Sequence, residues 1–242
     1  MTEFVIILIG FAIGGWIQGL LGFGFAVATT LLLMDRMDFT MLVFLNLSMS
    51  VLTSLIAMLS GKNLKSIHKS TLSKLMISSL IGLLIGTVML GLINAIALKK
   101  VTLLVILVAS LVSLTKNKAL FTHSYMAWIS GFFSGVLTPS TGINGPLVVL
   151  HLNAAFTDKE STRNTMLAYL FLIMVFGMTA MGLQGGLPAE TWDTLSTVIL
   201  PSFLGYVLGM LSFRLLSHDV FKITITVFLI GSSLLSFIYL IL

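Results

Sequence analysis

Residues 125–155 read YMAWISGFFSGVLTPSTGINGPLVVLHLNAA. The run holds no Asp, Glu, Lys or Arg, yet Pro139, Gly142, Gly145 and Pro146 interrupt it. Proline removes an amide donor and clashes with the preceding turn, and each interior glycine costs about 1 kcal/mol of helix stability. The run is also longer than the roughly 20 residues that take a helix across the hydrocarbon core. It predicts two half-helices joined near the middle by a loop at membrane depth. Such a loop survives only where protein buries it or it lines a wet cavity. Residues 4–34 share the design, with Gly19, Gly22 and Gly24 breaking QGLLGFGFA (18–26).

Outward from these two stretches the chain stays apolar. Of its 242 residues, 57% are hydrophobic and 9% charged, against about 25% charged in a soluble domain. Further uncharged windows cover 39–61, 75–98, 101–115, 164–189, 194–213 and 223–242. This is the pattern of an all-α polytopic membrane protein and excludes a soluble enzyme. A pI near 9.6 reflects basic residues in cytoplasmic loops rather than nucleic-acid binding. The absence of cysteine removes disulfides, thiolate metal sites and cysteine nucleophiles. No Lys or Arg precedes the first apolar run, so a cleaved signal peptide fits poorly.

Charge counting orients the chain. If all eight hydrophobic elements crossed, six basic residues would lie on one side and seven on the other. With the second broken element re-entrant, ten lie inside and three outside (Arg36, Lys99 and Lys100), and the positive-inside bias selects that reading. The loops at 62–74, 116–123, 157–163 and 214–222 are then cytoplasmic, while 184–193 and both termini face away. Charge leaves open whether the first broken element crosses; its length and likeness to the second favour a hairpin. A repeat is also visible: 81–101 aligns without a gap on 204–224, pairing Gly82 with Gly205 and Gly86 with Gly209, and Gly15-x-x-x-Gly19 resembles Gly131-x-x-x-Gly135. The expected organisation is a single integral membrane domain of two inverted repeats, 1–118 and 119–242. Each is a broken re-entrant hairpin plus three transmembrane helices, an architecture of secondary transporters.

The chemistry at the breaks is neutral. No window contains a carboxylate, which counts against a cation pump. Gln18, Gly22 and Gly24 stand at one break and Thr138, Ser140, Thr141, Asn144 and Gly145 at the other. A half-helix that starts at a break presents free N–H groups and about half a positive charge, which suits a small anion. His151 is the possible proton carrier, though a packed histidine is the plainer reading. His68, His123 and His218 lie beside basic loops, Arg163 reads as a topology anchor, and the Gly82/Gly86 and Gly205/Gly209 pairs read as helix-packing positions. The pattern calls for no cofactor and no metal.

GFFSGVLTPSTGINGPLVVLHL (131–152), the Arg163-Asn164-Thr165 step, LPSFLGYVLG (200–209) and GLLGFGFAVATTLLL (19–33) together resemble the TauE/SafE family of sulfite and organosulfonate exporters. The likeness spans nearly the whole chain. The first motif lacks the family's usual run of three glycines, and Thr29 or Thr30 stands about where a proline is usual. The resemblance implies transport of small, mostly sulfur-containing anions without ATP. The resulting expectation is a multi-pass plasma-membrane transporter that is not an enzyme. It holds a small anion such as sulfite, an organosulfonate or a related carboxylate between the two breaks, by alternating access. Its partners are that anion and the lipid bilayer, with no nucleic acid and a possible homodimer. The rivals are a passive anion channel, a membrane-embedded hydrolase with His151 as base, and a structural subunit without a ligand.

Overall fold

The computed structural model describes residues 2–59, 66–90, 92, 94–113, 119–185 and 187–241. Parts of two basic loops singled out above, Lys62–Lys65 and Lys116–Lys118, lie outside them. Among the described residues there are eleven helices and no strand: α1 (Thr2–Leu21), α2 (Phe25–Leu33), α3 (Phe39–Leu59), α4 (Lys69–Leu90), α5 (Ala95–Ser113), α6 (Ala119–Thr122), α7 (Tyr125–Thr141), α8 (Gly145–Ala155), α9 (Lys159–Gln184), α10 (Thr191–Leu215) and α11 (His218–Ile241). Six of them, α1, α3, α4, α9, α10 and α11, are long and apolar enough to cross a membrane. Their outward faces carry bulky apolar side chains: Ile81, Leu84 and Val88 on α4, and Leu200, Leu204 and Leu208 on α10, are each more than half exposed. A belt of this kind suits hydrocarbon and is untenable in water.

Both broken elements fold back on themselves. A Cβ on Gly14 would touch Thr29 and one on Gly10 would touch Leu33, so α2 retraces α1. Arg36 donates to Glu3 at 2.9 Å and closes the base of this first hairpin. Likewise Ser134 Oγ on α7 donates to the Asn144 carbonyl at 2.7 Å, and His151 on α8 lies against the Phe121 carbonyl. The question that charge left open is therefore answered: the first element is a hairpin. The arms are unequal, however. At 1.5 Å per residue α1 is about 30 Å long and α2 about 13 Å, so the break falls well past the middle of its window. The helix runs on through Gly10, Gly14, Gly15 and Gly19 and stops only where Gly22 and Gly24 take positive φ.

Two polar ends emerge. At one, Glu3, Arg36, Asp35 and Lys99 pair with each other, Tyr239 stands beside Glu3, and Gln184 bonds to Thr87. At the other, Lys74 meets Ser124, His68 N–H donates to Thr165, and Lys159 donates to the Phe213 and Leu216 carbonyls. The second end gathers the described residues of the four basic loops.

Helices pair across the halves. α1 packs on α10 and α7 on α4; α2 touches α11 and α8 touches α5; α3 faces α9, and α5 faces α11. The paired glycines make the first two contacts close. A Cβ on Gly205 would lie 1.9 Å from the Ala12 carbonyl oxygen, and one on Gly82 would lie 2.1 Å from that of Phe132. Backbone meets backbone there, and any side chain would separate the helices.

Candidate functional site

The first break is Gly22-Phe23-Gly24. Gly24 begins α2 with φ of 94°, a left-handed conformation that only glycine takes without strain. Gln18, one turn earlier, is fully buried and fastened to α3. Its amide donates to Ser54 Oγ at 3.1 Å and to the Ser50 carbonyl at 3.4 Å, and Ser50 Oγ donates back to it at 3.2 Å. α2 is tied to the same helix by Asn46, which accepts from Thr29 at 2.6 Å and donates to Thr30 at 3.3 Å.

The second break runs from Gly142 to Asn144. Pro139 lies inside the last turn of α7, and Gly142, with φ of 67°, ends it by donating to the Thr138 carbonyl. Thr141 Oγ1 donates to the Leu137 carbonyl and accepts from Ile143 N–H at 3.1 Å, so its hydroxyl closes the turn. Asn144 donates to Thr138 Oγ1 at 3.2 Å and to the Met174 sulfur at 3.6 Å.

The two breaks meet. A cavity of about 10 Å³, room for roughly one water, is bounded by Gln18 and by Gly24 with the first turn of α2 on one side. Gly142 to Gly145 bound it on the other, and Ser50, Leu170 and Met174 complete the wall. None of these residues is charged. The first N–H groups of any helix lack an intrahelical acceptor, and neither Gly24 nor Asn144 supplies a side-chain cap to its helix. The N-termini of α2 and α8 therefore reach the cavity with donors to spare.

Of the residues singled out from sequence, Gln18, Gly24, Asn144 and Gly145 line the cavity. Gly22, Thr138, Ser140 and Thr141 do not. Gly22 packs against Arg163, Thr138 and Thr141 shape the turn, and Ser140 donates to the Leu137 carbonyl at 3.4 Å. His151 is 2% exposed and holds the Phe121 carbonyl at 2.7 Å, away from the cavity lining. Ser50 and Met174 were not singled out as binding residues; Ser50 had a signal, as one of several polar residues in an apolar run, but nothing in the sequence said which face of α3 meets the breaks. Arg163 also differs from its reading as an anchor. It is buried, and its Nε and Nη2 both donate to the Gly19 carbonyl, at 3.2 and 2.6 Å, closing the C-terminus of α1. Its signal was position: it stands one turn inside α9.

Comparison with known proteins bears on what this arrangement is for. The profile of the family described as "Sulfite exporter TauE/SafE" matches residues 6–236. Searches of curated proteins and of solved structures give no match. A profile that runs through both hairpins and all the long helices leaves one assignment: the chain belongs to the sulfite exporter TauE/SafE family, a family of multi-pass membrane transporters.

Proposed function

We propose that this protein is a secondary transporter of a small anion, sulfite or an organosulfonate or related carboxylate, working by alternating access of two inverted repeats around the cavity between the breaks. The observation that carries the proposal is the meeting of two uncapped helix N-termini at one uncharged cavity. Each terminus is equivalent to about +0.5 charge, so together they offset close to one negative charge. Each neutral donor is anchored by one firm bond, Gln18 to Ser54 at 3.1 Å and Asn144 to Thr138 at 3.2 Å. Its other contact, to the Ser50 carbonyl at 3.4 Å or to the Met174 sulfur at 3.6 Å, is a long one that an anion could replace. A cavity with room for one water cannot admit sulfite, so the hairpins must part to load it. With no acid among the lining residues, the coupled proton is best carried by the substrate itself, as bisulfite.

Reconstituted vesicles test this. Labelled sulfite should accumulate against its own gradient when a proton gradient is imposed, with competition from sulfoacetate or taurine ranking the substrates. Flux that only dissipates a gradient would make the protein a channel, and no saturable flux of any of these anions would end the proposal.

A further inference from the structure

Arg163 is charged, 3% exposed and lies beside the tip of the first hairpin. A guanidinium has five N–H donors, and the two hydrogen bonds it makes here both go to one acceptor, the Gly19 carbonyl. Among the described residues no carboxylate lies within ion-pair distance of it; the two ion pairs are Arg36 with Glu3 and Lys99 with Asp35. Glu160 is the acid that acts on it from farther off, and it is opposed by Arg214. The Phe213 ring covers the guanidinium at 4.6 Å and also covers the Lys159 ammonium at 4.6 Å. A buried cation left this way costs several kcal/mol unless something neutralises it.

The Tyr206 hydroxyl is the second unmatched group. Tyr206 is fully buried on α10, its backbone packed against Gly19. Its hydroxyl oxygen stands near enough to the Arg163 guanidinium to interact with it, yet it meets no group at full hydrogen-bond geometry, so its O–H proton has no acceptor. Buried hydroxyls without partners are rare and call for an explanation. Here a cation with donors to spare and an orphan O–H donor stand side by side at the end of the molecule where Lys159 and Arg214 also lie. That set is short of acceptors, and a small oxyanion supplies several.

We infer that Arg163 and the Tyr206 hydroxyl form a second anion-binding station, on the basic side of the cavity between the breaks, where sulfite is held before it reaches that cavity. The station deepens the transport proposal and rests on it. Because Arg163 also holds the Gly19 carbonyl, an anion drawing the guanidinium away would loosen the first hairpin tip.

The test uses the full-length protein and sulfite as the probe. Calorimetric titration in detergent should count two sulfite ions per chain. In vesicles of single orientation, the half-saturating sulfite concentration is then measured from each face. Tyr206→Phe is the decisive variant. A buried hydroxyl whose proton has no protein acceptor does not stabilise the fold, so the thermal unfolding temperature should not fall. Loss of a hydrogen bond to a charged ligand should still raise half-saturation from the basic face about tenfold, leaving the other face as it was. Arg163→Lys should lose the second binding event as well. One sulfite per chain in the wild type, or a Tyr206→Phe variant that matches it from both faces, overturns the station while leaving the central site intact. A wild type that neither binds nor moves sulfite overturns both.

Discussion

The two hairpin tips share an outline but are held in different ways. The first is fastened from outside: Gln18 to Ser50 and Ser54, and the Gly19 carbonyl to Arg163, across 32, 36 and 144 residues of sequence. The second is fastened mainly to itself. Thr141 bonds within its own turn, Asn144 reaches Thr138 six residues back, and Ser134 reaches the Asn144 carbonyl across ten; Tyr169 and Met174 add support from α9. A loop at membrane depth must satisfy its polar backbone, and these tips show two sources for that satisfaction. Displacing the first tip breaks bonds between helices. The second can shift with most of its bonds intact.

The largest effect should come from the packing both tips share. Gly205→Val puts a Cβ and two methyls where the Ala12 carbonyl stands, and Gly82→Val does the same to Phe132. Each should cost more than about 3 kcal/mol, the upper range for overpacking, and should yield little monodisperse protein on size-exclusion chromatography. Equal damage from both would show that the two interfaces matter alike.

Next come the fastenings. Gln18→Leu leaves the Ser54 hydroxyl and the Ser50 carbonyl without their buried partner and should cost about 1–3 kcal/mol, whereas Thr141→Val, which removes one local hydroxyl, should cost about 1 kcal/mol. Thermal unfolding in detergent ranks them, and a reversed order would break the contrast between the tips.

A smaller change in stability, but a selective one in binding, is expected at Asn144. Asn144→Asp puts a negative charge beside an anion in a poorly screened site and should weaken sulfite binding at least tenfold more than Asn144→Ala. Equal effects from the two would make the second break purely structural. Smallest of all is His151→Ala. It removes the bond to Phe121 and loosens α8 from α6 by about 1 kcal/mol, but proton-dependent transport in vesicles should survive. Loss of all proton dependence with binding preserved would make His151 the carrier.

The contrast between the tips also explains what was legible in the sequence. Glycine announces both breaks and proline the second, and the charge-free windows announce the helices, because each is a local property of the chain. The second tip keeps its polar partners close by, so Asn144 and its neighbours stand out together. Arg163 and Ser50 depend on which helix faces the breaks, and no local pattern records that. That Thr138 and Thr141 lie off the cavity lining is hidden for a related reason: a threonine hydroxyl that bonds within its own turn looks the same in sequence as one that faces a cavity. The unequal arms were hidden because helix propensity on either side of Gly22 is similar, and only the packing of α2 against α1 shows where the turn sits.

The pairing of α1 with α10 bears on how the protein is made. Gly19 meets Gly209, a partner 190 residues later in the chain by subtraction of their numbers. At about 5–20 residues per second of synthesis, the first hairpin must wait on the order of 10–40 s after it leaves the ribosome before the helix that covers its glycine face exists. Through that interval a strip of bare backbone lies open to any other helix being inserted nearby. The protein's assembly therefore depends on whatever shields the strip: an insertion partner, lipid, or a neighbouring chain's α10 in a swapped pair.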